Sequence, residues 1–284
     1  MAIFSNQATL TYNGTTTNSN IAYGEILEVL SATKTAVENS YTADEVLTYV
    51  VTLRNTGTTP LTDLTVTDDL GGFTFGTGIV YPLTYVDGSA TVFADGVPQG
   101  APAVNAGPPL VITGITVNPG GSTVIVYQAR TNAFANPGIG GTIVNTVTVT
   151  GTGLNTPVTA TETVDSATGA NLAIAKSISP AQVVDNDRVT YTFVIQNFGN
   201  EPVLATDNAA ITDIFDPILT GLTVTYEGTA WTQGIQYNYN AGTGLFTTVP
   251  GQITVPAATY TQDPVTGAYT VTPGTVTLTV TGTI

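Results

Sequence analysis

Over much of the chain, apolar residues alternate with threonine, serine or asparagine at a period of two. The runs Thr142 to Thr150 and Thr275 to Thr281 show this most plainly. Neighbouring side chains of a strand point to opposite faces, so the pattern predicts antiparallel strands with one face buried. Gly, Pro and Asn punctuate the runs, and helix-forming residues are scarce. Many short strands with such punctuation predict an all-β chain built as β-sandwiches.

The strands are organised as a repeat. At a constant offset of 142 residues, Lys34 maps to Lys176, Tyr49 to Tyr191, Asn55 to Asn197, Gly57 to Gly199 and Pro60 to Pro202. After a three-residue insertion Thr67-Asp68 maps to Thr212-Asp213, and Pro119-Gly120 maps to Pro273-Gly274. The period is a whole domain, not a solenoid unit. The reading is two domains, residues 31–153 and 172–284, joined by a Thr-, Asn- and Gly-rich linker over 154–171. An arm over residues 1–30 precedes them.

The repeat is uneven at its end. The first domain closes with Ile143 to Thr150, whereas the second reaches Ile284 without a counterpart. A matching strand stands instead in the arm, between Met1 and Thr15, with Phe4, Asn6, Ala8, Leu10 and Tyr12 on one face. Asn13-Gly14 behind it favours a tight hairpin turn. A sandwich short of a strand offers an edge that recruits any strand of the right pattern. The expectation is that the arm of one copy completes the second domain of another, head to tail, which propagates as an open filament unless the rotation closes a ring.

Composition narrows the function classes. Charged residues are 9% of the 284, and the net charge is −15. That opposes nucleic-acid binding, which needs a basic footprint, and attraction to an anionic membrane surface. No apolar run approaches membrane-spanning length. The first residues carry no secretory-signal pattern. With no Cys and no His, thiolate chemistry and a Ser-His-Asp site are excluded. No metal or other cofactor is expected, nor an enzyme acting on an external substrate.

Two lysines serve the whole chain, Lys34 and Lys176, at one position of the two repeats. Asp68 and Asp213 also correspond, and Asn145 corresponds to Asn6 of the arm. A lysine, an asparagine and an acid meeting in a dry core can form an amide. Burial favours the neutral, nucleophilic amine, and a protonated acid polarises the amide carbonyl and shuttles protons. Structural ion pairs Lys34–Asp68 and Lys176–Asp213 are the plainer alternative. Asp69 is a second candidate acid in the first domain alone, because its counterpart is Ile214.

Lys34-Thr35, Leu47 to Val51, Asn55-Thr56-Gly57, Leu64 to Asp68 and Asn145 to Val149 together resemble the immunoglobulin-like conserved-repeat domains of Gram-positive surface proteins (domain of unknown function eleven). The second repeat matches through Lys176, Tyr191, Asn197, Gly199 and Asp213, and departs by lacking the Asn-bearing strand. The chain is also similar to the isopeptide-bearing domains of Gram-positive adhesins and pilins. The resemblance implies two immunoglobulin-like sandwiches. It also implies a Lys34–Asn145 cross-link with Asp68 as its acid. Between copies it suggests a Lys176–Asn6 bond assisted by Asp213. No sortase-type sorting motif ends the sequence. The expected role is a structural subunit that polymerises with itself on a cell or spore surface, as a pilus-like or spore appendage. The alternative is a monomeric adhesin or carbohydrate-binding module, with Trp231, Tyr226, Tyr237 and Tyr239 as its aromatic face. Asp185-Asn186-Asp187 and Asp44-Glu45 read as turns, as do Gly120-Gly121 and Gly138 to Gly141.

Overall fold

The computed structural model describes residues 2–26 and 29–284. Met1 of the anticipated donor strand, and Leu27 and Glu28 of the arm, lie outside the described residues. The chain is all-β and divides into two units. The first is residues 1–167 with 263–269, and the second is 168–262 with 270–284.

The arm is one long hairpin. Strands β1 (Ala2–Asn6) and β2 (Thr9–Tyr12) run out, and β3 (Thr15–Asn18) and β4 (Ala22–Ile26) return. Asn13 and Gly14 turn the chain with φ of 47° and 75°, the left-handed geometry those residues tolerate. Tyr12 then pairs with Thr15 and Leu10 with Thr17, while Asn6 pairs with Ala22 and Phe4 with Gly24. Every side chain from Ile3 to Tyr23 is exposed, including Phe4, Leu10 and Tyr12.

The body of the first unit is a sandwich. One sheet joins β5 (Leu30–Ala36), β7 (Val46–Asn55), β16 (Ser122–Thr131), β12 (Thr91–Ala94) and β13 (Val97–Pro98), with β11 (Leu83–Tyr85) also on β16. The other runs in the order β14 (Ala103–Asn105), β15 (Leu110–Val117), β8 (Leu61–Asp68), β17 (Thr142–Thr150), β18 (Val158–Ser166) and β6 (Ser40–Tyr41). A small hairpin, β9 (Phe73–Phe75) and β10 (Gly78–Val80), stands apart. Alternate residues of β7 (Leu47, Tyr49, Val51, Leu53) are buried against Leu64, Val66, Ile112 and Val147. This is the period-two pattern made physical.

Residues 154–171, read as a linker, contain β18, a full strand paired along β17. The sequence hid it because its half-buried row is Val158, Ala160 and Glu162, not continuously apolar. The first unit therefore extends past residue 153, and Ile143 to Thr150 is not its closing strand.

In the second unit the order is β19 (Leu172–Ser179), β20 (Arg188–Asn197), β28 (Gly274–Thr283), β22 (Thr220–Tyr226) and β23 (Thr229–Trp231). Facing it are β21 (Thr212–Ile214), β25 (Leu245–Thr248) and β24 (Tyr237–Asn240), and a further pair is β26 (Thr259–Gln262) with β27 (Tyr269–Thr272). Phe193, Leu278, Phe215 and Phe246 form its core. The counterparts are β5 and β19, β7 and β20, β16 and β28, and β8 and β21. The shared Asn-x-Gly motif is structural. The Asn55 amide donates to the Thr59 and Val117 carbonyls and accepts from Gly57 N–H. Asn197 does the same with Glu201, Pro256 and Gly199.

Candidate cross-linking sites

The inner face of β5 carries Leu30, Ala32, Lys34 and Ala36, so alternation points Lys34 into the sandwich. Its side chain is fully buried, and Nζ lies 2.5 Å from Oδ2 of Asp68, which is 2% exposed. Asp68 ends β8 and is fixed from two further directions. Leu70 N–H donates to Oδ1 at 2.9 Å, and the Tyr127 hydroxyl donates to Oδ2. Nζ also sits 4.8 Å from the Tyr49 ring centroid, and the Tyr49 and Tyr127 rings stack at 5.6 Å. Burial pushes the Lys34 pKa below its ordinary 10.5, with the Asp68 charge opposing. Burial also pushes both tyrosine hydroxyls up, so they remain protonated donors.

Asn145 completes this cluster. In the β17–β8 register Val147 stands opposite Asp68, and Asn145 is two residues along the same face. It is fully buried, yet neither its amide nitrogen nor its amide oxygen has a hydrogen-bond partner. The Tyr49 and Tyr127 hydroxyls feel its dipole without forming a hydrogen bond of normal geometry, and the Tyr49 hydroxyl is itself unpartnered. A buried polar atom left unpaired costs about 1–3 kcal/mol. An asparagine orphaned at both ends is therefore an expensive core residue if it stays an amide.

Asp69 is not a second acid at this site. It faces the other way and accepts from the backbone N–H groups of Thr146 and Gly71, each at 2.9 Å, so it anchors β17. The sequence reading did not single out Tyr127 or Glu162. Tyr127 lies opposite Tyr49 in the β16–β7 register, and Glu162 opposite Asn145 in β17–β18. An alignment of inward rows would have exposed Tyr127; Glu162 required knowledge of β18.

The second site is half built. Lys176 of β19 forms a close ion pair with Asp213 of β21, and its Nζ lies 4.6 Å from the Tyr191 ring and 5.3 Å from Phe215. Unlike Lys34, the Lys176 side chain is 40% exposed. β21 has β25 on one side and no strand on the other among the described residues, where β8 has β17. The register of β28 on β20 puts Val280 opposite Tyr191, the place of Tyr127, so the acid-holding hydroxyl is missing. Lys176 and Asp213 are thus joined within the second unit, while Asn6 stands exposed on the arm of the first.

The aromatic residues offered as a sugar face are committed elsewhere. Trp231 stacks on Tyr226 at 5.0 Å, the Tyr226 hydroxyl donates to Thr254 O, the Tyr239 hydroxyl donates to Leu219 O, and Tyr237 is buried. Asn186 and Asp44 have positive φ, and Asp187 and Glu45 accept from backbone N–H groups three residues back, so both acidic pairs are turns.

No protein-family model and no curated protein sequence matches the chain. Among solved structures, the full-length RrgB pilus protein of Streptococcus pneumoniae is similar at 12% identity and a TM-score of 0.36, over 89% of this chain and 41% of that one. The 35 kDa C-terminal fragment of the major pilin GBS80 of Streptococcus agalactiae gives 13% and 0.34, over 86% and 79%. The collagen-binding subdomain ACE19 of the Enterococcus faecalis surface protein ACE gives 11% and 0.31, over 50% and 99%. These likenesses are distant, each below 25% identity and below a TM-score of 0.5.

Proposed function

We propose that this chain is the structural subunit of a self-assembling filament on a cell surface. Strand β1–β2 of one copy takes, in the second unit of the next, the place that β17 holds in the first unit. One observation carries this reading: β21, which bears Asp213, has β25 on one side and an open edge on the other among the described residues, where β8 has β17. The inner row of β5 is covered, with Leu30 8% exposed, whereas the equivalent row of β19 leaves Leu172, Ile174 and Ile178 exposed at 46%, 57% and 42%. An apolar row beside an open strand edge is an unfilled acceptor. Phe4, Ala8 and Leu10 supply the spacing that Ile143, Val147 and Val149 supply in β17.

The same docking sets Asn6 where Asn145 stands, opposite the Lys176–Asp213 pair. At each site the lysine passes a proton to the aspartate, and the neutral Nζ attacks the asparagine Cγ. The new Nζ–Cγ bond replaces Cγ–Nδ2; the aspartic acid gives its proton to the leaving nitrogen and takes up the proton that Nζ sheds, so one ammonia departs and the acid is left protonated. Bond formation would also remove the unpaired Nδ2 of Asn145 from the core.

The test is intact mass combined with electrophoresis after boiling in SDS. The expected subunit is lighter by one ammonia, about 17 Da, from the first site. Polymers are expected to survive boiling and to collapse to monomers in Lys176→Ala. Wild-type material that runs wholly as a monomer, with no filaments by microscopy, would leave the adhesin alternative instead.

A further inference from the structure

In the first unit β17 does not cover Lys34 unaided. β18 runs antiparallel beside it, and it is β18, far more than β17, that packs over β5. A single donated strand would reproduce β17 and leave the apolar row of β19 largely open. The arm, however, has two strands in the same relation. Asn6 faces Ala22 across the arm as Asn145 faces Glu162, and Phe4 faces Gly24 as Ile143 faces Val164. The Phe4 ring lies 2.4 Å from where a Gly24 Cβ would be, so one large side chain and one absent one replace two of middle size. A bulge at Ile21 re-phases the return strand, after which Thr17, Ser19 and Ala22 share the face of Asn6.

Resting on the strand-donation reading, we propose that the donated element is the whole hairpin of residues 2–26, and that its partner is the second unit of another copy of this chain. β1–β2 lines β21, and β3–β4 lies over β19 as β18 lies over β5. The return strand covers Leu172, Ile174 and Ile178 and closes Lys176 off from water, so the second site is assembled only by docking. Ala22 stands where the first unit has Glu162, which leaves Asp213 as the acid of the joint.

The experiment is hydroxyl-radical footprinting of the wild-type chain before and after polymerisation. A several-fold fall in oxidation is expected at Phe4 and Leu10 and equally at Leu172, Ile174 and Ile178. The covering strand is identified by placing a benzophenone amino acid at Thr17, in a minority of copies mixed with isotope-labelled wild-type copies. Irradiation is expected to attach it to the 172–179 segment of a labelled copy. Protection of Phe4 and Leu10 with β19 still oxidised would overturn the hairpin and keep single-strand donation. Protection of β19 with the Thr17 probe attached elsewhere, or to nothing, would also overturn it. No protection at Phe4 or Leu10 would remove strand donation itself.

Discussion

Replacing Asn145 by leucine separates a cross-linked core from an uncross-linked one by the sign of the effect. If Asn145 is a free amide, the substitution removes two buried, unpartnered polar atoms and installs an apolar side chain of similar size. Each unsatisfied group costs about 1–3 kcal/mol, so the variant should equal or exceed the wild type in stability. If Asn145 is joined to Lys34, the substitution opens a closed loop of about 110 residues. By the chain-entropy estimate used for disulfides, such a closure contributes about 4–5 kcal/mol. At roughly 2–4 °C per kcal/mol for a unit of this size, the transition of the first unit should fall by about 10–20 °C. Calorimetry on wild type and Asn145→Leu, with intact mass on the same samples, measures both. The expected result is the lower transition together with recovery of the missing ammonia. A variant as stable as wild type, from a wild type at uncorrected mass, would refute the bond.

Further outcomes follow from the same geometry. Asp213→Asn should abolish boiling-resistant polymers while leaving the ammonia loss at the first site intact, because Ile214 and Ala22 offer no substitute acid; gel and mass read the two sites separately. Tyr127→Phe removes the hydroxyl that fixes Asp68. It should slow ammonia loss in freshly made protein without abolishing it, as followed by mass against time, and an unchanged rate would show that Asp68 needs no such support. In Asn145→Leu, Lys34 stays an amine whose pKa is held below 10.5 by burial. Between the folded and unfolded values the unfolded chain binds more protons, so stability of the first unit should rise with pH through that window. Wild type, with Nζ acylated, should lack the rise; urea midpoints from about pH 7 to 10 measure it, and a flat profile in the variant would contradict the assignment. Leu10→Glu should prevent polymerisation, since it sets a charge on the apolar row that enters the acceptor; filaments of unchanged yield would count against donation.

The sandwiches were legible because alternation fixes which face of each strand is buried, and a repeat at a constant offset aligns those faces. Lys34, Asp68 and Asn145 could be grouped for the same reason, as inward positions of successive strands. What escaped was whatever lacks a strong apolar pattern. β18 alternates threonine with alanine and glutamate, so it reads as a linker until its pairing with β17 is seen. Its oversight hid Glu162 and the second strand of the proposed donor. Asp69 was misjudged because sequence adjacency to Asp68 says nothing about facing, whereas neighbouring strand residues point opposite ways. Of the half-built state of the second site, the missing Asn-bearing strand was legible and the rest was not. The rest depends on Val280 replacing Tyr127 and on exposure along β19, both of which are properties of strand pairing.

The energetics of the proposed joint explain why a covalent bond would belong there. Leu172, Ile174 and Ile178 are each about half exposed, as are Phe4 and Leu10 on the arm. Fully burying one such side chain is worth about 1.5–3 kcal/mol, so covering the exposed parts of these five yields about 4–8 kcal/mol. Each of the few backbone bonds along β21 adds about 1 kcal/mol net. Association itself costs some 4–15 kcal/mol in lost freedom. The sum lies near balance, which suits a subunit that must stay dispersed until it meets a growing end and must try its register reversibly. Such a joint cannot alone hold a filament that must not dissociate. An amide between Lys176 and Asn6 would remove the reverse step without strengthening the encounter. On this proposal the exposed, half-built state of Lys176 defers that step until the arm is in place, whereas Lys34, sealed within its own unit, has no partner to wait for.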